Sequence, residues 1–165
     1  MMSRGGVTMD ASTLKGRAVV SLIEGIKLGT VAQPLFDMQI TRLVAFAMDG
    51  AEGTAFLPFG LVRGIGADAV TVASHQVIQG GAAGTLIELD QVLRLKVVDE
   101  GGTFIGEIAH MEIDPESGAV MRIATHKGGL LGVGGTTTPI DPATILGIGP
   151  ELLTLDTAVG VPVVS

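Results

Sequence analysis

The residues best suited to catalysis or metal binding lie between positions 110 and 126. His110 and Glu112 are two apart, and Asp114 and His126 follow them along the chain. Imidazole nitrogens and carboxylate oxygens are common metal ligands, but they must converge on one point to hold an ion. Apolar residues occupy the positions between His110, Glu112 and Asp114, which is the alternation of a strand with one face in water. The pattern therefore favours a solvated strand face over a metal site.

Nucleophilic chemistry has less support still. No serine stands in a Gly-Xaa-Ser-Xaa-Gly elbow, and His75 is predicted to be a surface residue at a strand end. The glycine-rich segment 128–138 lacks the Gly-Lys-Ser/Thr ending of a phosphate-binding loop, so we predict a mobile loop there. We predict no catalytic, cofactor-binding or metal-binding residue, and we expect a protein that is not an enzyme.

Three apolar side chains are instead the candidates for a partner surface. Leu130 and Leu131 lie on the glycine-rich loop, where they must either fold back or contact a partner. Phe59 follows the proline of the repeat described below. These side chains favour a protein as the partner.

Composition excludes several kinds of partner and cofactor. Of the 165 residues, 47% are hydrophobic and 3% aromatic, with no tryptophan or tyrosine, so a stacking platform for bases is nearly excluded. A net charge of -7, with only 10 lysines and arginines, disfavours nucleic acid as the main partner. The absence of cysteine rules out disulfides and thiolate chemistry. No cofactor is expected.

The mean hydropathy of +0.55 raises the question of a membrane segment. The longest window without a charged residue, 69–87, contains His75, Gln76, Gln79 and several glycines, which makes it a poor transmembrane segment. The N-terminus lacks the apolar core of a secretory signal. We therefore predict no transmembrane segment and a cytoplasmic location.

The elements that must position these residues follow from an internal repeat. Residues 57–74 return in degenerate form at 138–157, and each copy contains a proline, an identical Gly-Ile-Gly (64–66 and 147–149) and an alternating closing strand. The two glycines of each copy are expected to supply positive φ around one buried isoleucine. Before these segments, the two halves of the chain can be aligned with a shift of 77 residues, which places Gly29 on Gly106 and Phe46 on Ile123.

The repeat predicts an all-β fold of two tandem small barrels joined by a Gly-rich linker. The predicted parts are a disordered N-terminal tail (1–13), a first domain (14–74), the linker (75–88), a second domain (89–158) and a C-terminal tail (159–165). Each domain has five or six short strands between glycine and proline turns, which is typical of closed or nearly closed barrels. Closure removes the sheet edges that invite aggregation.

Three features of the repeat occur in a fixed order. They are a glycine-containing strand at 28–31 and again at 105–108, a strand that ends at an aspartate, and a proline-led final segment, best matched over 57–70. In this order the features resemble the PRC-barrel family. This family takes its name from the H subunit of the photosynthetic reaction centre, and its fold also forms the C-terminal domain of the ribosome maturation factor RimM. The resemblance implies a β-barrel adaptor that binds other macromolecules without catalysis. The chain departs from the family at Phe59 and Ile140, where tryptophan is frequent.

Three functions stay open at the level of sequence. The first is a non-catalytic PRC-barrel adaptor that mediates protein-protein interaction or assembly. The second is ligand binding or an enzymatic role at the cleft between the barrels, which the glycine-rich segments would border. The third is RNA processing or ribosome maturation by analogy with RimM, and the acidic charge argues against it. The apolar composition and the loop leucines also predict a homodimer.

Overall fold

A computed structural model describes residues 7–50, 55–81, 84–128 and 134–156 of the chain. Within these ranges the regular secondary structure is mostly β-strand, with one short helix, α1 (Leu89–Val92), and several 3-10 turns. The prediction of an all-β fold is confirmed. No helix in these ranges is long and apolar enough to cross a lipid bilayer.

The strands divide between the two halves of the chain. Those of the first half are β1 (Met9–Asp10), β2 (Ala18–Ser21), β3 (Ile26–Phe36), β4 (Leu43–Asp49), β5 (Ala55–Pro58), β6 (Val62–Ile65), β7 (Ala69–Val72) and β8 (Gln79–Gly80). Those of the second half are β9 (Ile87–Glu88), β10 (Lys96–Asp99), β11 (Phe104–Ile113), β12 (Val120–Gly128), β13 (Gly135–Ile140), β14 (Ile145–Ile148) and β15 (Leu152–Leu155).

The strands form two sheets with the same internal order. In the first sheet the path runs β6-β7-β2-β3-β4-β5-β8, and in the second it runs β14-β15-β10-β11-β12-β13. In both sheets an early strand pairs in parallel with the last one, β2 with β7 and β10 with β15. The remaining ladders are antiparallel. The two halves of the chain are therefore two copies of one structural unit, as the repeat predicts.

The prediction for the Gly-Ile-Gly segments was wrong in two respects. Their glycines do not have positive φ, and the isoleucines between them are half-buried rather than buried. A Cβ on Gly64 would lie 3.2 Å from the hydroxyl of Thr71, and one on Gly147 would lie 3.4 Å from that of Thr154. Glycine therefore allows the threonine side chain to approach the backbone of the neighbouring strand closely. Each threonine hydroxyl donates a hydrogen bond to the carbonyl of its glycine at 3.4 Å. The isoleucines are half-buried because β6 and β14 are the outermost strands of their paths.

Positive φ is instead required at the aligned glycines of β3 and β11. Gly29 has φ 152° and Gly106 has φ 147°, in a region that side chains with a Cβ rarely adopt. Each glycine lies against the backbone of the next strand, Gly29 at the carbonyl of Asp49 and Gly106 at the carbonyl of His126. The alignment with a shift of 77 therefore matches two glycines that have the same backbone conformation and the same contact with the next strand.

The predicted disordered tail and linker are also corrected by the structure. Met9 and Asp10 form β1, and the 3-10 turn Ala11–Leu14 that follows has Ala11 and Leu14 fully buried. The predicted linker contains β8, which pairs with β5, and β9, which pairs with β3. Apolar side chains from both segments join the common core, so these segments belong to the fold. The C-terminal tail, 159–165, lies outside the described residues.

The first strand of each unit pairs with a strand in the sheet of the other unit. β1 pairs with β11, with Met9 opposite Ile113, and β9 pairs with β3, with Ile87 opposite Phe36. Phe36 and Ile113 are 77 apart and Met9 and Ile87 are 78 apart, so the two pairings correspond to within one residue and the exchange is reciprocal. The buried side chains of both units form one continuous hydrophobic core.

The centre of this exchange is an antiparallel bridge between Arg42 and Ala119. Beside it, the amide of Leu43 donates to the carbonyl of Gly118 at 2.7 Å, and the amide of Val120 donates to the carbonyl of Thr41 at 2.9 Å. Thr41, Arg42 and Leu43 align with Gly118, Ala119 and Val120 under the shift of 77. The shift therefore places the bridge on itself and each of the two hydrogen bonds on the other. The two units are thus related by a pseudo-twofold axis through this bridge.

Candidate functional site

The side chains first considered for metal binding do not gather into a site. His110 is exposed, with its Nδ1 3.5 Å from a carboxylate oxygen of Asp10, and Glu112 accepts a hydrogen bond from Thr8 Oγ1 at 2.8 Å. Met111 and Ile113, which alternate with these two residues along β11, are buried, as the alternation predicts. Among the described residues no three His, Cys, Asp or Glu side chains are placed to hold a metal ion.

A different cluster brings together a serine, a carboxylate and a histidine. Ser21 Oγ donates to Glu24 Oε1 at 2.6 Å, the amide of His75 donates to the same oxygen at 2.9 Å, and His75 Nδ1 contacts Glu24 Oε2. In a catalytic triad the histidine stands between the hydroxyl and the carboxylate. Here the carboxylate stands in the middle, so the histidine has no path to the serine proton. The cluster ties the turn after β2 to the segment after β7.

These contacts lower the pKa of Glu24 from its ordinary 4.5 to about 2, first through the Ser21 hydroxyl and then through the His75 ring. A depressed folded-state pKa gives stability that is present above pH 4.5 and is lost as the pH falls toward 2. Glu24→Gln should therefore have a lower Tm than the wild type at neutral pH, and the difference should shrink below pH 4.5. Thermal unfolding over a pH series measures this.

Glu151→Gln is the matched control for Glu24→Gln, because Glu151 is exposed and its side chain makes no hydrogen bond or ion pair with the described residues. Its Tm should follow that of the wild type at every pH. A Tm difference for Glu24→Gln that stayed constant down to pH 2 would contradict the assigned role.

Two grooves lie between the units, at related positions. The first, which we call the β6 groove, has a volume of about 510 Å³ and is lined by Val62–Ile65, by Phe59 and Gly60, and by Pro115 and Glu116. The turn that holds Pro115 joins β11 to β12 of the second unit. The first unit therefore supplies one wall of this groove and the second unit the other.

The second groove, which we call the β14 groove, has a volume of about 350 Å³. It is lined by residues 148–150 at the end of β14, by residues 85–87, and by Met38, Gln91 and Leu95. Met38 lies on the turn between β3 and β4 of the first unit, which is the counterpart of the turn at Pro115. No charged side chain lines this groove among the described residues.

The β6 groove runs along the edge of a strand. Side chains of a strand alternate between its two faces, so a groove on one face would be lined by every second residue. Here all four residues of Val62–Ile65 line the groove in succession. β6 is the last strand of its path and has a ladder only with β7 among the described residues.

Phe59, one of the three predicted partner residues, lies in this groove. It is half-buried, and a Cβ on Gly118 would lie 3.1 Å from its ring. Phe59 thus packs against the turn of the second unit while part of its ring faces the groove. The other two predicted residues, Leu130 and Leu131, lie outside the described residues.

The sequence did not indicate the opposite wall of the β6 groove. Pro115 and Glu116 lie on a short turn, and the sequence contains no signal that this turn meets β6. The aligned proline-led segments did identify the region of the chain that lines the groove. Its second wall depends on the exchange between the units.

Comparison with known proteins finds a family match in the second half of the chain. Residues 84–156 match the model of the PRC-barrel domain. The match spans α1 and strands β9 to β15, and it confirms the resemblance for this half of the chain. No curated protein matches the chain.

Proposed function

We propose that this chain, whose residues 84–156 belong to the PRC-barrel family, is a non-catalytic adaptor that binds a protein partner through the β6 groove. The observation that carries the proposal is the composition of that groove. It combines a strand edge, a partly exposed aromatic ring and a wall from the second unit. Aromatic side chains in clefts are frequent anchors of protein interfaces.

We also propose that each sheet curls into a small, partly open barrel. The support is the parallel pairing of β2 with β7 and of β10 with β15, which brings an early and a late strand of each unit together. No ladder joins the two ends of either path among the described residues, so each barrel has a seam. The β6 groove lies at such a seam.

A non-catalytic role is supported by how the chain uses its polar side chains. Ser21, Glu24 and His75 bind one another, and Glu112 binds Thr8. Each of these contacts joins two segments of the fold. These four side chains therefore serve structural roles. Glu116, which lines the β6 groove, has no histidine or serine beside it among the described lining residues.

The proposal is tested by affinity capture from the native host with the full chain as bait. A macromolecular partner should be recovered, and Phe59→Ala should weaken its capture at least about fivefold. Phe104→Ala is the control, because Phe104 is 39% exposed and lies outside the groove. Both variants must be folded at the temperature of the capture, which their thermal unfolding curves check. Repeated capture of no partner, or equal capture by both variants, would contradict an adaptor that uses this groove.

A second function rests on the β14 groove, whose lining has no charge and includes Met38, Leu95 and Pro150. Its volume of about 350 Å³ suits a small apolar molecule. We propose ligand binding there as the alternative. A thermal-shift screen with small apolar compounds should then raise the Tm, and Met38→Glu should abolish the rise.

The homodimer stays a prediction, and the exposed apolar side chains of Leu22, Ile23 and Ile26 support it. These three residues surround the turn between β2 and β3, and together they offer an apolar surface to a second copy. Light scattering at micromolar concentration should give about twice the chain mass of 16.8 kDa. A monomeric mass would contradict the prediction. The cytoplasmic location likewise stays a prediction.

A further inference from the structure

We propose that the β6 groove takes an extended segment of a partner protein, which adds as a strand to the open edge of β6 and places an acidic side chain at Arg63. This inference rests on the proposed adaptor function and names the kind of partner. Strand addition is a recurrent way to bind peptides, in which backbone hydrogen bonds give affinity and side-chain pockets give specificity.

The backbone of β6 supplies the first part of the argument. An outermost strand has amides and carbonyls on one side that no neighbouring strand uses. All four residues of Val62–Ile65 line the groove, and of their amides that of Val62 already donates to the carbonyl of Phe59. A strand that lies in the groove would therefore meet the free edge of β6 and extend the path of the first sheet.

The apolar side chains of the groove suit alternate residues of such a strand. Phe59, Val62 and Ile65 are half-buried and pack against the core, so each also exposes apolar surface to the groove. Pro115 on the opposite wall is half-buried and has no amide hydrogen to compete for the edge. These surfaces favour a segment with apolar residues at every second position.

Arg63 gives the groove its charge preference. Its side chain is exposed and makes no hydrogen bond or ion pair with the described residues. Glu116 on the opposite wall is also exposed, so an acidic group is attracted to the β6 side and repelled from the turn. The net charge of -7 acts at longer range, where salt screens it beyond about 10 Å. Arg63 therefore determines that the groove favours an acidic side chain of the bound segment.

The second unit provides a natural comparison. Leu146 of β14 aligns with Arg63, and both side chains are exposed in strands with the same burial pattern. The β14 groove is lined by the end of β14 and not by its whole length. The two units thus differ both in charge and in access to the edge, and the preference for an acidic segment belongs to the first unit.

The test is an NMR titration of the full chain with capped synthetic peptides of alternating valine and threonine that carry one central glutamate. Amide shifts should concentrate at Val62–Ile65 and at Glu116. A matched peptide with lysine in place of glutamate should bind about two- to fivefold more weakly. Arg63→Glu should reverse that order, whereas Leu146→Arg should leave it unchanged. A glutamate peptide with N-methyl groups at alternate amides should lose binding, because it cannot form a ladder.

The outcomes separate this inference from the proposed function. Equal binding of the N-methylated peptide would overturn strand addition, and an unchanged order in Arg63→Glu would overturn the acidic preference. Shifts confined to the β14 groove would overturn the site. Each of these results is compatible with an adaptor whose folded partner contacts Phe59 in the β6 groove without adding a strand. Only capture that fails or does not depend on Phe59 argues against the adaptor itself.

Discussion

Gly29→Ala should destabilise the protein by about 3 kcal/mol or more. Gly29 has φ 152°, and a Cβ at this position would overlap the backbone carbonyl oxygen of Asp49, which belongs to the neighbouring strand and cannot turn away. Gly106→Ala should have a similar effect, because φ is 147° and the Cβ would lie 2.8 Å from the carbonyl oxygen of His126. Urea unfolding followed by circular dichroism measures both.

Gly60→Ala is the matched control for these variants. A Cβ on Gly60 would meet no atom within 4 Å, and its φ is not positive. The change should therefore leave the free energy of unfolding within about 0.5 kcal/mol of the wild type. If Gly29→Ala were as stable as Gly60→Ala, the close approach of β3 to β4 would not be a requirement of the fold.

Phe46→Ala should cost about 3–5 kcal/mol, because Phe46 is fully buried in β4 and its removal leaves a cavity. Ile123, its aligned residue in β12, is also fully buried, and Ile123→Ala should cost about 2–5 kcal/mol. Since the two units share one hydrophobic core, each substitution should lower the midpoint of a single transition of the whole chain.

Phe104→Ala again serves as the comparison, because its ring is 39% exposed and leaves no buried cavity. Denaturant unfolding should be monitored by circular dichroism and by amide NMR signals from each unit. Two separate transitions, with only the substituted unit shifted, would show that the units unfold independently and would contradict a shared core.

The sequence predicted the parts of the fold that depend on local pattern. Alternation located β7 and β15, and the shift of 77 placed Gly29 on Gly106, which have the same backbone conformation and the same task. The resemblance to the PRC-barrel family was also confirmed, for residues 84–156. These features are visible in sequence because neighbouring residues determine them.

The exchange between the units could not be predicted in this way. β1 and β9 are two residues long, too short to show any periodicity, and each pairs with a strand of the other unit. Pairing over such a separation leaves no local signal. The grooves depend on the same long-range contacts, so Phe59 was predicted as a partner residue but the wall at Pro115 was not.

The reciprocal exchange of β1 and β9 joins the units within one covalent chain. Dilution therefore cannot separate them, since a tethered contact has a fixed effective concentration. In an assembly of two identical subunits any change on one side would appear on both. Within this chain each copy can mutate alone, as the arginine of β6 and the leucine of β14 illustrate. The two copies can therefore differ at matched surface positions while the core that they share stays the same.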